Sequence, residues 1–127
     1  MSTELLIALA CSLLGIGYGI FTIFNVLSKP MGNEEMVRIQ SAIQEGAQAY
    51  LKRQYTAIGL VGVIVFIVIM FALNATTAIG FAIGAIFSGL AGFIGMNVSV
   101  RSNSRTAEAA RDGIAPALDI AFKGGAI

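Results

Sequence analysis

Residues 56–100 read TAIGLVGVIVFIVIMFALNATTAIGFAIGAIFSGLAGFIGMNVSV, a stretch with no Asp, Glu, Lys, Arg or His. Asn74-Ala75-Thr76 divides it into two uncharged runs, Thr56 to Leu73 and Thr77 to Val100. Val and Ile crowd Val61 to Ile69, an enrichment that in water suggests a buried strand. Each run is nonetheless far longer than an ordinary strand. A backbone in lipid must satisfy its own polar groups within the segment, which favours helix. The reading is a hairpin of two membrane-spanning helices, at about 54–73 and 77–100.

A third uncharged run precedes the hairpin. Leu5 to Leu27 is long enough, at ~1.5 Å per residue, to cross a ~30 Å hydrocarbon core. No basic residue comes before it and its apolar stretch is long, so it reads as a retained span rather than a cleaved leader. The chain has 127 residues, 57% apolar and 12% charged, and a mean hydropathy of +0.84. A soluble domain of that composition would expose large apolar patches and associate. The expected class is therefore an all-α integral membrane protein in a lipid bilayer. The eight Lys and Arg residues all fall between the first and second spans or after the third. By the positive-inside rule the N-terminus and Asn74 face outward, and segments 28–55 and 101–113 face the cytoplasm.

The segment 28–55 reads as amphipathic. Gly32 and Asn33 break the pattern, Asn33 caps a new helix, and Glu34 and Glu35 complement its dipole. Met36, Ile39, Ile43, Ala47 and Tyr50 recur at helical spacing and define its apolar face. No breaker separates this helix from the second span, so one long helix is expected, with Lys52, Arg53 and Tyr55 as interface anchors; the alternative reading of Lys52-Arg53 is a clamp for anionic lipid headgroups or phosphate. Arg101, in a polar loop over 101–113, anchors the far end of the third span. Ala107 to Arg111 is expected to form a short helix ended by Gly113 and Pro116.

Gly80, Gly84, Ser88 and Gly92 recur every fourth residue and line one face of the third span. Small residues let neighbouring backbones approach, and in lipid van der Waals contact then holds a bundle together. Gly15 and Gly19 form a second, shorter row in the first span. The spans carry no Asp, Glu, Lys, Arg or His, the residues from which pumps build ion relays. They are read as scaffold. With no His and a single Cys, Cys11, neither a disulfide framework nor a multi-cysteine metal site is available.

Three stretches in order carry a family resemblance. They are Gly32 to Met36 leading to Ile43–Leu51 and Arg53–Tyr55; Gly84–Gly89 with Gly92–Met96; and Arg105–Ala110 with Gly113, Ala117-Leu118 and Ala121–Ala126. Together they resemble the N-terminal part of membrane-bound, ion-translocating inorganic pyrophosphatases, the bacterial form most closely. The resemblance implies about sixteen helices in two concentric rings and a homodimer in a bacterial cytoplasmic membrane. It implies pyrophosphate as substrate, magnesium as cofactor, potassium as a possible activator, and protons or sodium ions pumped outward. It also implies that the aspartates and lysines holding magnesium and pyrophosphate lie on later helices. Neither Asp112 nor Asp119 matches that motif, so no catalytic, cofactor-binding or metal residue is assigned in this chain, and no nucleic-acid partner is expected.

Ile114 to Ile127 opens a fresh apolar pattern, read as the start of a fourth span whose continuation, with the remaining helices, would be a partner. On this reading the 127-residue chain alone is inactive. Two alternatives need no further sequence: a self-contained three-span membrane subunit, and a small oligomeric pore held by the glycine row.

Overall fold

The computed structural model describes residues 2–127 and builds them from four α-helices and a short 3-10 turn. Helix α1 spans Thr3–Leu27, α2 Glu34–Ala72, α3 Ala75–Ala109 and α4 Ile114–Gly125, with the 3-10 turn at Ala110–Asp112. Polar caps set the starts. Ser2 Oγ accepts from the Leu5 amide at 3.4 Å, Asn33 Oδ1 from Met36 at 3.0 Å, and Asn74 Oδ1 from Thr77 at 2.8 Å. Each satisfies one of the amides that a helix start leaves without an intrahelical acceptor.

Three helices are long and apolar enough to cross a membrane. Amphipathic segment and second span form one continuous helix, α2, as the lack of a breaker implies. At 39 residues it is roughly 58 Å long at the standard rise, so part of it must project beyond a ~30 Å core.

Helix α3 departs from the sequence reading. It does not stop at Val100 but continues to Ala109, so the expected loop over 101–113 shrinks to the 3-10 turn and Gly113. The polar residues that suggest a loop bond back along the helix instead. Ser102 Oγ donates to the Ser99 carbonyl at 2.7 Å and Thr106 Oγ1 to the Ser102 carbonyl at 3.0 Å, a satisfaction open to hydroxyl residues inside helices. The break comes at Gly113, whose φ of +126° lies where a Cβ is strained. Pro116 does not end a helix. It occupies the first turn of α4, where a missing amide costs nothing. The hairpin link is also shorter than expected, since Ala75 and Thr76 already belong to α3.

Packing is concentrated at one end. Thr22 and Val26 of α1, Gln40 and Leu51 of α2, Val98, Ser102, Ser104 and Arg105 of α3, and Ile120 of α4 are all buried. In chain order these are the last turns of α1, the first half of α2, the last turns of α3 and the body of α4. They therefore meet at the Lys29 end of the spans. Five of these nine residues are polar. Elsewhere, apart from Ala78 beside the hairpin link, the spans stand open, with Leu14 at 74% and Phe71 at 85% exposure, surface that lipid or other protein must cover.

Candidate functional site

Where the helices converge, three hydrogen-bonded joints tie them. The first joins α3 to α1. Arg105 Nε donates to the Lys29 carbonyl at 3.0 Å and Nη2 to the Leu27 carbonyl at 3.0 Å, while Nη1 donates to the Arg101 carbonyl at 2.6 Å. Leu27 is the last residue of α1, whose final carbonyls lack intrahelical donors and carry the negative end of the helix dipole. A buried guanidinium with its donors in a fixed fork fits that position.

The second joint crosses the hairpin. Gln40 Oε1 accepts from the Ser104 amide at 3.1 Å and from the Ser104 hydroxyl, and Gln40 Nε2 lies 3.8 Å from Met31 Sδ. A buried side-chain amide is tolerated because its polar ends are met. The third joint is Tyr55. Its hydroxyl donates to the Gly89 carbonyl at 2.6 Å, its ring meets Phe93 edge-on at a centroid distance of 6.4 Å, and a Cβ at Gly92 would lie 3.0 Å from its oxygen. Helix α4 closes the cluster through Gly124, where a Cβ would fall 2.5 Å from Ser102 Oγ.

The face that α2 presents is the expected one only in part, since Met36 and Ala47 are half-buried. Ile39, Ile43 and Tyr50 are 52%, 41% and 55% exposed, whereas Gln40 and Leu51 are buried. The packed stripe runs through Gln40, Leu51 and Tyr55, about one residue further round the helix, because the Gln40–Ser104 bond fixes the rotation. Hydrophobicity alone could not find it, since the deciding residue is polar. The available signal was a glutamine on a helix face among apolar neighbours, facing a serine-rich stretch in an antiparallel partner.

Lys52 and Arg53 are exposed, as side chains at an interface can be, and Tyr55 turns toward α3. Arg101 is half-buried, beside a small pocket shared with Gln44, Gln48 and Asn97. Of the small-residue row, Gly92 meets Tyr55, while a Cβ at Gly80 or Gly84 would meet nothing within 4 Å. Ser88 borders an apolar groove between α2 and α3. Gly15 and Gly19 are equally open.

No three His, Cys, Asp or Glu side chains converge to hold a metal among the described residues. Asp119 pairs with Lys123 at 2.7 Å within α4, and Glu108 of α3 with Arg111 of the 3-10 turn at 3.3 Å, each pair three or four residues apart. Asp112 lies in the exposed 3-10 turn. These carboxylates do not fit a magnesium–pyrophosphate site, which needs several convergent oxygens. What the arrangement does is hold helices in register.

A family model described as "Inorganic H+ pyrophosphatase" matches residues 13–127. The chain belongs to this family. A K(+)-insensitive pyrophosphate-energized proton pump of Methanosarcina mazei is 46% identical over 117 residues, covering 91% of this chain and 17% of the relative. A putative K(+)-stimulated pyrophosphate-energized sodium pump of Clostridium tetani is 44% identical over 108 residues, covering 84% and 16%. A K(+)-stimulated sodium pump of Thermotoga maritima is 37% identical over 117 residues, covering 91% and 16%. The chain thus spans about one sixth of the length of these curated relatives. Proton and sodium pumps of this pyrophosphatase family match nearly all of it, so the polar joints belong to a stretch that the two kinds share.

Proposed function

We propose that this chain is the N-terminal helical scaffold of a membrane pyrophosphatase that couples pyrophosphate hydrolysis to outward pumping of protons or sodium ions. The observation that carries the reading is the family match over residues 13–127, to pumps of both ions, in a chain whose three uncharged runs hold no Asp, Glu, Lys, Arg or His. Scaffold helices need to pack and need not carry charge. The chemistry then belongs to helices outside these residues, with magnesium bound there and potassium as a possible activator, in a homodimer.

The orientation follows the cations, with the N-terminus and Asn74 outside and the joints of Gln40, Ser104 and Arg105 at the cytoplasmic face. A bacterial cytoplasmic membrane suits that arrangement. The small faces at Gly15, Gly19, Gly80 and Gly84 are seats for helices of the longer pump, while Lys52 and Arg53 sit at the headgroup level and Arg101, beside Gln44, stands about two turns further out.

Two measurements test this. Membranes carrying the 127-residue chain alone should release no phosphate from pyrophosphate with magnesium, and measurable release would overturn the scaffold role. Single cysteines at Asn74 and Asn103, in a Cys11→Ser background, should react with an impermeant maleimide from opposite sides. Labelling of both from one side would refute the topology.

A further inference from the structure

Between α2 and α3, above the Tyr55–Gly89 bond, lies an open-sided groove of about 1240 Å³. Its floor runs from Tyr55 to Phe66 on α2 and from Phe81 to Phe93 on α3, and nearly all of its wall is apolar. Both ends are shut. The Tyr55 hydroxyl bonds α3 below, and above the helices close again, with Ala78 fully buried and Asn74 joining them.

We infer that this groove seats an acyl chain of an anionic phospholipid, whose headgroup rests on Lys52 and Arg53. Depth is the first reason. Tyr55 to Phe66 rises roughly 16 Å, close to the ~15 Å of one leaflet's hydrocarbon and only half of what a spanning helix needs. Because the hairpin closes at both ends, no through-running helix can enter between its two arms. A single flexible chain can enter from the side. Width is the second reason, since Gly59, Gly62, Ala82, Ala85 and Gly89 keep the walls low. Charge is the third. Lys52 and Arg53 lie within one turn below the groove's lower end, both exposed, and neither pairs with an acidic side chain among the described residues. Two unpaired cations at headgroup depth favour a phosphatidylglycerol-like lipid over a zwitterionic one.

The test is lipid retention. The 127-residue chain is reconstituted in equal parts phosphatidylcholine, phosphatidylethanolamine and phosphatidylglycerol, extracted into mild detergent and weighed by native mass spectrometry. One bound phospholipid per chain is expected, with phosphatidylglycerol favoured at least about fivefold over phosphatidylcholine. The double variant Gly62→Phe, Ala85→Phe should lose it while keeping its helical circular dichroism. Lys52→Gln with Arg53→Gln should keep a lipid but lose the preference for phosphatidylglycerol.

A second readout does not depend on the filled variant folding. In a Tyr18→Phe, Tyr50→Phe background, phosphatidylglycerol with mid-chain bromines should quench Tyr55 emission more than equally brominated phosphatidylcholine. Retention of no lipid, retention indifferent to the filling substitutions, or equal quenching by both lipids would overturn the inference. So would disulfide dimers through Gly59→Cys in the bilayer, which would put a second copy in the groove. Activity of a longer pump enters none of these outcomes, so the scaffold reading stands or falls separately.

Discussion

Arg105 reaches from α3 to the carbonyl of Leu27, the last residue of α1, at 3.0 Å, across 78 positions of sequence. With the Lys29 carbonyl also in its fork, it is the direct polar tie between the first helix and the hairpin. Replacing Arg105 with Met should lower stability by about 2–3 kcal/mol, since charged hydrogen bonds contribute ~1.5–3 kcal/mol and helix-end carbonyls lose their donors. Arg105→Lys should recover only part, because one ammonium lacks the planar fork. Thermal unfolding in detergent, followed by circular dichroism, measures both. Equal melting of Met and wild-type chains would show that the tie is idle.

Gln40 and Ser104 form the second joint, and their coupling can be isolated. Gln40→Ala should cost about 1–3 kcal/mol, leaving the Ser104 hydroxyl and amide without their buried acceptor. Ser104→Ala removes one of the two donors and should cost less. The double variant should be less destabilised than the sum, with a coupling of at least about 0.5 kcal/mol. Strict additivity would mean that the two residues do not communicate.

Tyr55 and the small-residue row give opposite expectations for glycine substitution. At Gly92 a new side chain meets the Tyr55 oxygen, itself held by Gly89. Gly92→Val should therefore cost about 1–3 kcal/mol by overpacking, and Tyr55→Phe should relieve part of it. At Gly84 nothing stands within 4 Å, so Gly84→Ala should stabilise the isolated chain by up to about 1 kcal/mol through helix propensity. In the longer pump proposed above, Gly84→Leu should impair assembly without lowering this chain's own melting. Melting curves and size-exclusion profiles read these outcomes.

Gly113 and Gly124 set where α4 lies. Gly113→Ala forces a Cβ onto a backbone at φ +126° and should cost about 1–3 kcal/mol. Gly124→Ala drives a methyl into Ser102. It should detach α4, making it newly sensitive to protease, and Ser102→Gly should restore protection.

Much of this was legible in the sequence, for a physical reason. Uncharged length speaks for a membrane helix wherever it occurs, so the three spans, the Asn33 cap and the unbroken passage from amphipathic segment into the second span could be read directly. The end of α3 could not. Ser102, Asn103, Ser104 and Thr106 have loop-like composition, yet hydroxyls in this stretch bond the preceding turn and the helix continues. The rotation of α2 was equally hidden. Apolar spacing pointed to Ile39 and Ile43 as well as to Met36 and Ala47, and only the latter two lie on the stripe that holds the polar pair of Gln40 and Ser104. In lipid, apolar faces do not compete for burial as they do in water, so polar pairs and small residues decide orientation. The glycine row announces a smooth surface, but most of it remains uncovered by this chain's own helices.

The gathering of buried residues at the Lys29 end bears on the order of assembly. Arg105 and Gly124 are synthesised long after Leu27 has entered the bilayer. The first helix therefore waits, inserted and held only by its short link to α2, until residues 105–124 emerge and clasp it. A nascent chain arrested before Arg105 clears the ribosome should leave α1 joined to the hairpin by residues 28–33 alone, and arrest far enough on for Gly124 to have cleared it should show the three helices clasped.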